Sequence, residues 1–208
     1  GRARSDSLGR RLPAMFHANQ LARTAPQAPY VGEAWMPGIQ VMTARTREGS
    51  TEGLFLAAQG GHNAESHNHN DVGNFIVYRN GEPLLIDIGV ETYSAKTFSN
   101  RRYEIWTMQS AYHNCPTVNG VMQSAGRRFE AREVEFKKLP GGVELSMDIA
   151  GAYPAEAKLE SWRRSIRLDR GSNEVVIRDA AKLKAAGEVT LNFISTSESN
   201  LERVQCDG

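Results

Sequence analysis

The sequence predicts a mainly β fold, a large antiparallel β-sandwich preceded by a short helical and linker segment. From Gly38 onward, short apolar runs alternate with polar residues and are separated by Gly, Asn, Asp or Pro clusters, the pattern of half-buried strands joined by turns. About ten such runs follow one another with short connections, as a sandwich or large antiparallel sheet requires. Asn80-Gly81, Pro140-Gly141-Gly142 and the run from Asp169 to Asn173 supply residues that reach positive φ at low cost, as tight hairpins demand.

In chain order, the first thirty residues are rich in Arg and Ala and lack alternation. Residues 7–22 read as one or two helical stretches interrupted by Pro13, and 24–29 as an extended linker, because each proline pushes its predecessor out of helical geometry. The division falls near Tyr30: a helical and linker segment over 1–30, then a β domain over 31–208. Strands are predicted over 40–45, 53–58, 74–78, 83–88, 117–121, 131–138, 142–149, 162–168, 174–179 and 189–194. Residues 91–114 lack alternation and hold Arg101, Arg102, Tyr103, Trp106 and Tyr112; long irregular segments in compact domains tend to be functional.

Composition bounds the possibilities. The chain has 208 residues, 40% hydrophobic and 24% charged, enough for a sizeable core. Its 25 Lys and Arg against 24 Asp and Glu give a net charge of +1, so no overall field draws nucleic acid or an anionic polymer. Attraction to an acidic substrate has to be local. The pairs Arg101-Arg102, Arg127-Arg128 and Arg163-Arg164 are read as solvated faces. The apolar runs fall far short of the roughly 20 residues of a membrane-spanning helix. Cys115 and Cys206 form neither a disulfide framework nor a Cys-x-x-Cys motif, and a single bridge between them stays open. The charged start and abrupt end read as a piece of a longer protein, so an absent signal peptide leaves location open.

Of five histidines, His62, His67, His69 and His113 lie in the central part of the chain. His67-Asn-His-Asn-Asp71 places two imidazoles and a carboxylate in one short run, and alternate residues of an extended chain project to one side. Asp87 ends the apolar run from Leu84, where an unpaired carboxylate would be strongly penalised and a cation is the simplest partner. His113 follows the aromatic loop and precedes Pro116 and a new strand. Two His and one Asp with a fourth position left for water suit zinc better than magnesium or calcium. The competing reading makes Asp87 a turn-capping carboxylate and His113 a core histidine bonded to backbone. Register adds a constraint: a two-residue turn at Asn80-Gly81 pairs Arg79 with Glu82 and hence Asn74 with Asp87. Ideal alternation then sets His67 and His69 on the opposite face, so a joint site demands a bulge near Gly73 or an irregular 67–71 stretch.

Three motifs in order, Ser66-His-Asn-His-Asn-Asp-Val-Gly-Asn-Phe75, Pro83-Leu-Leu-Ile-Asp-Ile-Gly89 and Ser110-Ala-Tyr-His-Asn114, resemble the heparinase II/III-like family. The resemblance covers roughly residues 30–194. It implies an antiparallel β-sandwich that follows an incomplete helical toroid, leaving residues 1–30 as the remnant of that toroid. It also implies cleavage of uronic-acid polysaccharides by β-elimination in the periplasm or outside the cell. By the same resemblance His69, Asp87 and His113 are zinc ligands, the zinc is mainly structural, and His67 lies in the active-site cleft. Tyr103 matches a cleft-lining tyrosine of alginate lyase members, with Tyr93 and Tyr112 on the same loop. The family's other catalytic residues come from the toroid, which this chain almost entirely lacks.

Two other classes remain. A cupin-type metal enzyme expects a Glu four or five residues after the second His, where this chain has Gly73 and Asn74. A non-catalytic carbohydrate-binding sandwich needs exposed aromatics, for which Trp35, Trp106 and Trp162 are the candidates.

Overall fold

A computed structural model describes residues 8–25 and 28–196. Two short helices, α1 (Leu8–Phe16) and α2 (Ala18–Arg23), open the described chain. The break falls at His17 instead of Pro13, which sits inside α1. A proline removes only its own donor, and the His17 amide still bonds the Pro13 carbonyl (3.2 Å), so the turn survives until His17. The described side chains of both helices from Leu12 onward are exposed.

The strands are β1 (Glu33–Met36), β2 (Val41–Arg45), β3 (Leu54–Gln59), β4 (His62–Asn63), β5 (Phe75–Arg79), β6 (Glu82–Leu85), β7 (Pro116–Val118), β8 (Gly126–Glu130), β9 (Arg132–Leu139), β10 (Gly142–Asp148), β11 (Leu159–Asp169), β12 (Glu174–Leu183) and β13 (Val189–Leu191). All the ladders between them are antiparallel. One sheet runs β1-β2-β3-β5-β6 and the other β12-β11-β10-β9, with β13-β7 and β4-β8 as small additions. The sandwich is as predicted. Each predicted strand has an observed counterpart, and β1, β4 and β8 are additional. These three are short or charged, and only packing distinguishes them from loop.

The two large sheets share one core. Met42, Ala44, Leu56, Phe75 and Val77 face Val143, Leu145, Met147, Trp162, Ile166 and Leu168, all at or below 3% exposure. Each large apolar side chain so buried contributes roughly 1.5–3 kcal/mol relative to exposure. Strand alternation explains the selection: on β11, Trp162, Arg164, Ile166 and Leu168 occupy every second position and all are buried. Arg164 is therefore no part of a solvated face, contrary to the reading of Arg163-Arg164. Its guanidinium forks onto Asp179, with Nε to Oδ1 and Nη2 to Oδ2 both 2.8 Å. Arg163 is exposed and pairs with Glu133.

The β5–β6 hairpin turns on Asn80 (φ 52°) and Gly81 (φ 84°), and Arg79 pairs with Glu82 as expected. The predicted pairing then fails. Tyr78 lies opposite Pro83 but Val77 opposite Leu85, so the register slips by one residue. Pro83 has no N–H to donate to the ladder, which makes this a natural place for a bulge. Residues 67–71 are not strand, and Gly73 has φ +84°. The chain thus breaks near Gly73, as a joint site requires, and again on the facing strand.

Gly73 also leaves no space for a side chain: a Cβ there would stand 2.8 Å from Ile149 Cγ2. Gly73→Ala should cost about 1–2 kcal/mol from the left-handed backbone alone, with overlap against Ile149 added. A thermal melt checks this, and an unchanged midpoint would show that the segment relaxes freely.

Candidate metal centre and adjoining cleft

The three predicted ligands converge. His69 sits on the irregular segment before β5, Asp87 just beyond β6, and His113 after four successive single 3-10 turns (Lys96–Phe98, Arg102–Glu104, Trp106–Met108 and Ser110–Tyr112). One ligand-type atom from each lies within 4.8 Å of the others. His69 Nδ1 and His113 Nε2 are 3.3 Å apart, and His113 Nδ1 is 2.8 Å from Asp87 Oδ2. Ligands about 2.0–2.1 Å from a tetrahedral zinc stand roughly 3.3 Å apart, so the two nitrogens have a suitable spacing. Asp87 and His69 lie on opposite nitrogens of the His113 ring, and Nε2 is also 3.1 Å from the Thr107 carbonyl, so one ion shared by all three requires the Asp87 carboxylate or the His113 ring to turn.

The candidate ligands are held by their surroundings. Asp87 Oδ2 accepts from Asn74 Nδ2 (2.7 Å) and Oδ1 from the Gly89 amide (2.8 Å). Asn74 Oδ1 accepts from the Asn114 amide (3.0 Å), and Asn114 Nδ2 donates to the carbonyls of Phe75 (2.7 Å) and Ile86 (3.0 Å). His113 has no exposed surface and His69 is 8% exposed. Arg164 Nη1 donates to the carbonyls of Gly73 (2.9 Å) and Asn114 (2.7 Å).

Electrostatics favour a coordinating state for His69. Burial, helped by the charge of His113, lowers its pKa to about 4, so the ring is neutral with a free lone pair near neutral pH. For His113 burial opposes charge, yet the hydrogen bond and charge of Asp87 outweigh it and raise its pKa. Burial likewise works against ionised Asp87, but bonding to His113 and Gly89 holds it below the usual range. Asp71 is pushed up to about 7 by burial, against the pull of His113.

His67 and Tyr103 stand beside this centre. His67 is exposed, has φ +62°, and lies near Tyr93 (centroids 6.2 Å, stacked) and Phe98 (6.1 Å, edge-on). Tyr103 Oη donates to Asn68 Oδ1 (3.0 Å), while Arg102 grips the Asn68 carbonyl through Nη2 (2.9 Å) and Nε (3.3 Å). A cavity of about 620 Å³ lies between the outer face of β2, β3 and β5 and the His67-His69 segment, with Asp71, Asn74 and Asp87 in its wall. A second, of about 460 Å³, is lined by His67, Asn68, Phe98, Arg102 and Tyr103. Glu65, Ser66, His67 and Asn68 form the wall common to both.

The sequence profile described as "Heparinase II/III-like, C-terminal" matches residues 35–206. The chain belongs to the heparinase II/III-like family. No curated protein matches significantly. Among solved structures the domain is similar to heparan sulfate lyase HepC from Pedobacter heparinus, at 16% identity and a TM-score of 0.61 over 87% of this chain. It is also similar to a heparinase III gene product with methylated lysines, at 17% identity and a TM-score of 0.64 over 92%, and to heparinase III, at 18% and 0.60 over 88%. These likenesses concern the fold. The chain spans 27%, 28% and 27% of those three proteins, respectively.

Several readings change. Trp162 is 1% exposed and cannot touch a sugar, and Trp35 stacks on Phe136 (5.5 Å), which leaves Trp106 (42%) as the exposed tryptophan of the three. Of the three, Trp106 alone serves the carbohydrate-binding alternative, beside the exposed Tyr93, Phe98 and Tyr112, and family membership sets aside the cupin one. Cys115 is buried, with its thiol pKa raised by burial, and Cys206 lies outside the described residues. No helix among the described residues is long and apolar enough to cross a membrane. Sequence reasoning missed Asn68, Arg102 and Arg164 as supports of the site. Only Arg164 left a signal: it shares its alternation with Trp162, Ile166 and Leu168.

Proposed function

We propose that this domain forms one wall of the active site of a polysaccharide lyase that cleaves uronic-acid polymers by β-elimination, as part of a longer protein. The convergence of His69, Asp87 and His113 beside a cavity wall carrying His67 and Tyr103 is the observation that supports this most. Residues 1–30 are the end of a helical toroid, residues 31–208 are the sandwich, and the toroid supplies the opposite wall. The protein works in the periplasm or outside the cell, where such polymers occur.

His69, Asp87 and His113 would hold a zinc ion, whose part is mainly structural: it ties the His67 segment, the end of β6 and the aromatic loop together. The chemistry belongs to the side chains. The C5–H bond of a uronate breaks as a base takes the proton, a C4=C5 double bond forms, and the C4–O4 bond breaks as O4 receives a proton. Tyr103 and His67 are the proton-transfer groups on this wall, each able to contribute a factor of about 10²–10⁴. Tyr103 is oriented by Asn68, and Arg102 fixes Asn68 in turn. Arg102, whose donors hold the Asn68 and Thr97 carbonyls, adds positive charge to the lining of the same cavity.

Incubation of the full-length protein with heparan sulfate, alginate and chondroitin, following unsaturated-uronate absorbance, tests the reading. Product from one polymer class is expected, and none from any would overturn it. The 208-residue chain alone should bind zinc but release no product, because misplacement of about 1 Å can already cost roughly 10²-fold, and here a whole wall is missing. Product from the chain alone that disappears in His67→Ala would show that the sandwich is self-sufficient.

A further inference from the structure

We infer that Arg164 is a positioning residue for the metal centre, a strut from the far sheet that sets the spacing of the ligand-bearing segments. The inference rests on the metal reading above and extends it to a residue that lies in the opposite sheet.

Arg164 is 2% exposed and belongs to β11, yet two of its bonds leave its own sheet. Those bonds reach two carbonyls that belong to no strand, 91 and 50 residues away in sequence. Asn114 is the residue after His113. Gly73 precedes Asn74, whose amide orients Asp87 from one end and holds the Asn114 backbone with the other. One planar group therefore touches the main chain beside one ligand and beside the support of a second. The guanidinium is itself held: Asp179 accepts both its Nε and Nη2, and that carboxylate is oriented by Trp162 Nε1 (2.8 Å).

Stability alone does not call for such a group. Charges taken out of water are penalised by several kcal/mol per ion after relaxation, and well-packed apolar residues often replace a buried pair without loss. A guanidinium differs in offering rigid donors in fixed directions. Here two of those directions end on the carbonyls that frame the ligands. Partners bonded directly to a ligand typically affect metal affinity by about 10–100-fold, and Arg164 acts one step further out, through the backbone beside His113 and beside Asn74, so the lower end of that range is expected.

Zinc dissociation constants at 25 °C, measured by competition with a chromophoric chelator, test this in the full-length protein. Arg164→Met fills the space without donors and should weaken zinc binding by about 10-fold, the lower end of the range for partners of ligands. Leu168→Ala, on the same strand and face and fully buried, should lower the melting temperature yet leave zinc affinity within about threefold, separating general destabilisation from positioning. Should Arg164→Met fail to fold, Arg164→Lys carries the test: it keeps the charge facing Asp179 but loses the planar fork, and should weaken zinc in the same direction. An affinity within about threefold of wild type in the folded Arg164 variant would overturn the inference while leaving the metal centre intact. A wild-type protein that takes up no zinc would overturn the metal reading itself, and the inference with it.

Discussion

In the full-length protein His67→Ala should depress turnover by about 10²–10⁴-fold while zinc content stays at the wild-type level, and His69→Ala should lose the zinc. The two residues are two apart, but their surroundings are opposite. His69 is buried with its Nδ1 on His113, whereas the His67 ring is exposed among Tyr93 and Phe98 and lines both cavities. The left-handed backbone at His67 turns the chain between them, so alternation no longer aims both rings the same way. Elemental analysis alongside steady-state kinetics on the two variants decides the matter. Equal zinc loss in both would show that the pair acts as one chelate, and full turnover in His67→Ala would remove it from the chemistry.

Stripping the metal with a chelator should lower the melting temperature by about 8–16 °C. At a free zinc concentration about 1,000 times the dissociation constant, binding stabilises the native state by roughly 4 kcal/mol. For domains of about 150–250 residues each kcal/mol moves the midpoint by roughly 2–4 °C. The sign follows from the geometry, because the ligands come from three segments that the unfolded chain does not bring together. His113→Ala should reproduce the shift and make the protein insensitive to chelator. A midpoint unmoved by chelator, in a protein shown to have contained zinc, would make the ion incidental to the fold.

Much of this arrangement was legible in the residues, for identifiable reasons. Period-two alternation and turn chemistry located the strands because sheet-forming segments with one buried face must carry that pattern. His69, Asp87 and His113 stood out as candidates because His-x-His and a carboxylate ending an apolar run are both unusual in a bland β domain, while their reading as ligands came from the family resemblance. The bulge at Pro83 and Leu84 was less accessible: a proline flags a ladder defect but not which way the register slips. Arg164 was misread since its neighbour Arg163 is exposed, and a pair of arginines suggests solvent until β11 is seen to alternate through it. Asn68 gains meaning only from Arg102 and Tyr103, 34 and 35 residues on, and a contact at that distance leaves no local trace.

The segment that carries His69 also carries His67 and Asn68. Arg102 and Tyr103 hold it at Asn68, and its Asn70 amide bonds the Met108 carbonyl (3.0 Å). The proposed metal anchor and the proposed sugar-facing wall are therefore carried on one short segment. An ion that never touches the polymer could then still influence the rate, by adding a tether at His69 to those that already hold the segment at Asn68 and Asn70. On the proposed reading, loss of turnover on chelation would follow from slackened scaffolding as readily as from loss of a Lewis acid.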